Sequence, residues 1–181
     1  GKPAGFDCLI RDGDDVTVYP KFESLDITSV AKLGREPLRV VRFVADVHLG
    51  KLTRRLRLLG FDCVYNAAWD DPDLARISER EERVLLTRDR GLLMRNAVTH
   101  GIFIRSDYAM EQVREVVQRL DLMNQIKPWS RCLNCNGRLR AVPKANVRHK
   151  VPAFTYQTVD QFHECENCGK VFWQGTHWPK L

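Results

Sequence analysis

From residue 40 onward the apolar positions of the chain alternate between two periods. Short apolar runs at Val40–Ala45, Phe61–Tyr65, Val84–Thr87 and Ile102–Ile104 read as strands. Between them Leu49, Leu52, Leu56 and Leu59 recur at helical spacing, with Gly60 as a plausible stop. A second helix opens at Asp71-Pro72-Asp73, with a capping side chain and a proline in the first turn, and runs to about Arg83. Asp89 is placed to cap a short helix through Leu92, Leu93 and Asn96, and Val113, Val116, Val117 and Leu120 mark the buried face of a helix over 109–122. Strands alternating with helices predict βαβ units, and hence an α/β fold with a mainly parallel sheet.

The pattern ends at Lys127-Pro128-Trp129, where composition turns to cysteine, glycine, basic residues and short β-like runs, so a second unit is expected from about Ser130. At the other end, Leu9–Tyr19 looks like a hairpin around Asp12-Gly13. It has too few partners for a core of its own. It is therefore expected either to pack on the main unit or to be the surviving end of a longer N-terminal domain.

With 181 residues, 44% hydrophobic and 29% charged, the chain suits one core domain and a smaller unit. It has no apolar run long enough to cross a membrane, and its start, Gly1-Lys2-Pro3-Ala4-Gly5, lacks signal-peptide character, which points to a cytoplasmic setting. Four of the six cysteines form two Cys-x-x-Cys pairs, Cys132/Cys135 and Cys165/Cys168, a pattern for metal in a reducing compartment rather than for disulfides. Each pair is a short turn that aims two thiolates at one tetrahedral Zn²⁺, with Gly137 and Gly169 easing the backbone path. Four filled positions leave no room for a reactive water, so this zinc is expected to be structural. The 29 residues between the pairs imply a β-hairpin insert. Phe162, His163, Phe172, Trp173, His177 and Trp178 gather around the second pair and are expected to form the ribbon core, with exposed rings free to stack on bases. Cys63 reads as core.

Net charge is +6, and residues 129–181 hold +5 of it. Between Arg131 and Lys150 stand six basic residues (Arg131, Arg138, Arg140, Lys144, Arg148 and Lys150) and no acid, a polyanion-facing pattern as well as a plain solvated loop. Three apolar runs end in aspartate, at Asp46, Asp89 and Asp107, and Asp70-Asp71-Pro72-Asp73 follows the second run. In a parallel sheet these carboxylates meet at one edge, where ligands bind in such folds. Clustered carboxylates repel unless a cation neutralises them, so one or two Mg²⁺ or Mn²⁺ are expected, activating water for attack on a phosphodiester. Asp71 could equally be a helix cap, with Asp70 or Asp73 merely solvated. Lys51, Arg54, Arg55 and Arg88 lie near these acids in sequence and would hold a phosphate backbone, continued by Arg138, Arg140, Lys144 and Arg148.

The segments Phe43-Val-Ala-Asp46-Val-His-Leu-Gly-Lys-Leu-Thr-Arg-Arg-Leu-Arg-Leu-Leu-Gly-Phe-Asp62, Asp70-Asp-Pro-Asp-Leu74 and Leu86-Thr-Arg-Asp89, with both cysteine motifs, resemble the Mut-seven C-terminal ribonuclease domain family. The resemblance implies a PIN-like three-layer α/β/α nuclease fold over 39–128 and a four-cysteine zinc ribbon over 129–181. It implies metal-binding roles for Asp46, Asp71 and Asp89, with Asp107 as a helper. PIN-like proteins commonly carry a further acid near the position of Asp89, where this chain has Arg90-Gly91-Leu92, which leaves one or two catalytic metals open. Residues 1–38 are similar to the end of a ubiquitin-like, sulphur-carrier-like β-grasp domain, and such a piece would offer a protein partner a surface. The expected activity is that of a metal-dependent endoribonuclease acting on RNA. Its rivals are a non-catalytic RNA-binding or ribosome-associated adaptor and a toxin-type ribonuclease.

Overall fold

The computed structural model of the chain describes Leu9, Arg11 and residues 40–174. The expected hairpin over 9–19 and the β-grasp piece over 1–38 lie almost wholly outside these residues.

Four short strands, β1 (Phe43–Ala45), β2 (Cys63–Val64), β3 (Val84–Thr87) and β4 (Gly101–Phe103), form one sheet in the order β2-β1-β3-β4. Every pairing in it is parallel. Helices α1 (Gly50–Leu58), α2 (Asp71–Arg80) and α3 (Arg90–Leu93) supply the three crossovers, and α4 (Ala109–Arg119) follows β4. Alternation along the strands sorts them into layers. Phe43, Ala45, Val84 and Leu86 point to the face covered by Leu49, Leu52 and Leu56 of the α1 region and Val113, Val116 and Val117 of α4. Val44 and Leu85 point to the other, against Leu74, Ala75 and Ile77 of α2 and Leu92 of α3. The result is the expected three-layer α/β/α arrangement.

The strands are shorter than the apolar runs, for reasons visible at their ends. Phe61 gives its N–H to Leu56 O at 3.0 Å, so the C-terminus of α1 takes a backbone group that a longer β2 would have used. Helices α2 and α4 stop before the expected Arg83 and Leu122 because the chain turns left-handed just beyond them, at Glu82 (φ 49°) and Asp121 (φ 50°). Arg83 N then bonds Ser78 O, and Leu122 N bonds Val117 O, both at 2.9 Å. These bonds satisfy carbonyls that the helix ends leave open.

Gly60 does the same for α1 at φ +95°. It has a second duty. A Cβ there would stand 2.1 Å from Lys127 O and 2.5 Å from Ser130 Oγ, because the segment leaving α4 crosses directly over it and Lys127 N bonds Leu59 O at 2.8 Å.

Beyond that crossing lies a second sheet of antiparallel strands β5 (Leu139–Val142), β6 (Phe162–Cys165) and β7 (Val171–Trp173). Asp62, just before β2, ties the two sheets. Its carboxylate accepts from Arg83 Nη1 (2.7 Å) and Asn136 Nδ2 (2.8 Å) and pairs with Arg131 Nη2 (3.2 Å). Burial acts to raise the Asp62 carboxyl, but the hydrogen bonds from Arg83 and Asn136 and the two arginine charges outweigh it and leave it below its ordinary value.

Two outcomes are expected in urea unfolding. Gly60→Ala combines left-handed strain with a clash against main chain and lowers stability by about 2–4 kcal/mol, read as a drop in midpoint. Because Asp62 is depressed in the folded state, its contribution is whole at neutral pH and fades as pH falls below the ordinary aspartate value of 3.8. Asp62→Asn flattens that part of the acid limb, which a series of midpoints at falling pH reads out.

Candidate functional site

The strand order reverses at β1, whose neighbours β2 and β3 lead away in opposite directions, and the crevice at its carboxyl end is where open α/β sheets bind ligands. Asp46 follows β1 there and is only 4% exposed. Its Oδ1 accepts from His48 N at 2.7 Å, which caps the 3-10 turn Val47–Leu49. Its Oδ2 accepts from the Thr87 hydroxyl and from Arg88 N (3.2 Å). Thr87 ends β3, and its Oγ1 in turn accepts from Asp89 N at 2.9 Å. One hydroxyl thus links the two aspartates that close adjacent strands. Asp89 Oδ1 accepts from Gly91 N (2.6 Å) and caps α3, while its Oδ2 takes no hydrogen bond from the described residues. Capping therefore accounts for one oxygen of each acid and leaves the other side of Asp89 open.

The remaining acids divide differently. Asp70, not Asp71, caps α2, through Asp73 N at 2.9 Å, and Asp73 pairs with Arg76. That leaves Asp71, its side chain 45% exposed, with Arg95 Nη2 at 3.9 Å as its charged neighbour. Asp107 is 77% exposed and is engaged by Arg88, the residue that separates Thr87 from Asp89. Among the described residues no three of these carboxylates gather with their oxygens within 4.8 Å of one another.

Of the basic candidates, Lys51 and Arg54 are exposed on α1, and Arg55 donates to Met110 Sδ at 2.9 Å. Around the second sheet Arg138 and Arg148 are exposed, Arg140 pairs with Glu164 (3.5 Å), and Lys144 pairs with Asp160 (2.9 Å) and lies 5.4 Å from the Tyr156 ring centre. Sequence reading overlooked Thr87. Its signal was present in Leu86-Thr87-Arg88-Asp89, as a hydroxyl at the last position of a strand, but which carboxylate it reaches depends on the neighbouring strand.

The second centre is made of sulfur. Cys132, Cys135, Cys165 and Cys168 bring their Sγ atoms within 4.8 Å of one another. Cys132–Cys168 is 3.7 Å and Cys135–Cys165 is 3.4 Å. Those separations exceed a disulfide bond of about 2.05 Å and approach the roughly 3.8 Å edge of a tetrahedron with Zn–S bonds near 2.3 Å. Four soft thiolates in that shape fit Zn²⁺, which would cross-link the two turns and leave no position for water. Asn136 (φ 68°) and Gly169 (φ 67°) take the left-handed position after the second cysteine of each pair. Gly137 serves another purpose than the turn expected of it. A Cβ on it would stand 2.9 Å from Cys165 Sγ, so it lets the two turns close. Burial acts to raise the Cys165 thiol, but N–H groups of Cys168 and Asn167 and the thiols around it bring it down to about 7. Cys63 lies apart in the core, its thiol pushed up to about 12 by burial. The insert between the pairs is more than a hairpin. Strands β5 and β6 pair, but their connection carries a 3-10 turn (Lys144–Val147) and the helix α5 (Ala153–Thr158). Phe162 is buried as expected and packs near Trp173, while His163 stacks on Trp129 at 5.1 Å. His177 and Trp178 lie outside the described residues.

Elemental analysis of the purified chain is expected to find about one zinc per chain, and Cys132→Ser is expected to lose it together with the cooperative unfolding of the second sheet. A chain that keeps its far-UV and thermal profile after zinc is stripped would contradict the structural role.

No helix among the described residues is long and apolar enough to cross a membrane. No curated protein and no solved structure matches the chain. A family model described as the Mut7-C RNAse domain matches residues 41–181, covering both sheets and the four cysteines. The match starts after residues 1–38, so the β-grasp resemblance of that segment gains no support from it. The chain belongs to the Mut7-C RNAse domain family, a nuclease family whose description makes RNA the substrate class.

Proposed function

We propose that the chain is a metal-dependent endoribonuclease whose reacting centre lies at the carboxyl ends of β1 and β3. In this reading residues 39–128 are a PIN-like nuclease unit, and 129–181 are a zinc ribbon that supplies stability and RNA contacts. The observation that carries it is the chain Asp46, Thr87, Asp89: one hydroxyl donates to the Asp46 carboxylate and accepts from the Asp89 main-chain N–H, at the switch point of a parallel sheet, in a member of an RNase family.

The donor set fits a hard cation held through few protein oxygens. Mg²⁺ and Mn²⁺ take oxygen ligands, and Mg²⁺ keeps several waters when one or two carboxylates bind it. Asp89 Oδ2 carries no hydrogen bond from the described residues, and Asp46 Oδ1 carries one, which leaves lone pairs on both. Asp46 and Asp89 would hold the cation, with Asp71 joining through water. When bound, such an ion lowers the pKa of a coordinated water and stabilises charge on a phosphodiester.

The protein's own groups do the rest. Thr87 and the Arg88 N–H hold Asp46 in one orientation and keep the buried carboxylate supplied with donors. Asp107 is better read as the partner that positions Arg88 than as a ligand. Lys51 and Arg54 bind the RNA backbone from α1, and the exposed Arg138, just before β5, and Arg148, in the β5–β6 connection, extend the contact. That no three of these acids gather their oxygens among the described residues favours the rival in which the acids are vestigial and the chain only binds RNA.

Labelled single-stranded and structured RNA incubated with the full chain and Mn²⁺ separates the two. Cleavage is expected to need the metal, and Asp46→Asn or Asp89→Asn is expected to reduce it by about a hundredfold or more with binding retained. Salt-sensitive binding with no turnover would establish the adaptor instead. Thr87→Val is expected to fall between, since it removes the hydroxyl while leaving the strand packed.

A further inference from the structure

Arg57 sits on α1, is 5% exposed, and gives its donors to main-chain oxygens on both sides of the junction between the sheets. Its Nε donates to Cys63 O (2.8 Å), and its Nη1 donates to Leu133 O (3.3 Å) and Asn134 O (2.9 Å) inside the first cysteine turn. No carboxylate among the described residues forms an ion pair with it. A buried guanidinium in that position is costly unless another negative charge lies close. Burial acts to lower the Arg57 pKa, and the sulfurs of Cys63, Cys132 and Cys135 act to raise it. Cys63 is a neutral core thiol, so the counter-charge comes from the zinc-binding pair, with a smaller share from Asp62.

The atoms involved make the link specific. The two carbonyls that Arg57 holds belong to the peptide units whose N–H groups, on Asn134 and Cys135, act against burial to lower the Cys132 thiol. A cation on the carbonyl end of a peptide polarises its N–H and strengthens its pull on a nearby thiolate. The same turn also completes the edge of the parallel sheet, since Asn136 Oδ1 accepts from Cys63 N at 3.0 Å and its Nδ2 donates to Asp62.

We propose that Arg57 is a positioning residue for the zinc turn, holding the Leu133 and Asn134 carbonyls so that two N–H groups converge on Cys132, and that it couples zinc occupancy to order at the β2 edge. It also offsets part of the negative charge of a zinc tetrathiolate. Groups that orient metal ligands in this way typically carry a 10- to 100-fold effect on affinity, roughly the size expected here. Coupling between sites is reciprocal: zinc orders the edge of the parallel sheet, and an intact edge tightens zinc.

The test uses the full zinc-loaded chain. Zinc affinity, read by competition with a chromophoric chelator, is expected to weaken about 10- to 100-fold in Arg57→Met and less in Arg57→Lys, which keeps the charge but loses the fork. The sulfur-to-metal charge-transfer bands of the Co²⁺-substituted chain are expected to shift in Arg57→Met, a signature that a merely packed side chain would not move. In the unaltered protein, removal of zinc is expected to speed amide exchange at Cys63 while the central β1 and β3 amides stay protected. Zinc affinity within about twofold of the parent in both variants overturns the proposal. So does Cys63 protection that survives zinc removal, and that measurement requires no variant to fold.

Discussion

The ladder between β1 and β3 is the constraint on which the rest depends. Phe43, Val44 and Ala45 stand in register with Val84, Leu85 and Leu86, and Asp46 N continues the ladder onto Leu86 O at 3.1 Å. Parallel pairing puts both strand ends on one side, so the residues that follow must meet there. Burial on both faces fixes the register, because a slip of one residue would turn Phe43 and Leu86 toward the wrong helices. The position of Asp46 against Thr87 and of Thr87 against Asp89 then follows from backbone geometry rather than from any attraction between the acids.

The second sheet depends on the opposite edge. Strand β2 has one strand neighbour in the sheet, β1, and its exposed side would leave backbone groups without partners. The first cysteine turn covers part of it through Asn136 and Arg57, while Asp62 gathers Arg83, Arg131 and Asn136 around one carboxylate. Polar and charged contacts of this kind are sensitive to geometry, and the geometry of the turn is set by four sulfurs. Core and four-cysteine group are joined by the same few residues.

Much of this was legible in the chain. Helical spacing of leucines and valines, the proline after Asp71 and the glycine at 60 located the helices and the α1 stop, and two Cys-x-x-Cys pairs located the four-cysteine group. Two other helix stops, at Glu82 and Asp121, left no mark, because acidic residues in left-handed conformations look like any other surface acid. The acids near α2 were harder still, since Asp70 and Asp71 are equally good caps and the choice rests on a backbone angle. Asp107 read like Asp46 and Asp89 by placement after a strand, yet it is exposed and engaged by Arg88.

The sequence by itself determined the alternation of strands and helices, the α/β class and the four-cysteine group, because these rest on periodicity and spacing along the chain, and its motifs carried the resemblance to the family. Only the tertiary structure decided that Thr87 links Asp46 to Asp89, that Gly60 lies under Lys127, and that Arg57 reaches the first cysteine turn. Each joins residues brought together by strand register or helix packing, across separations that local propensity cannot encode.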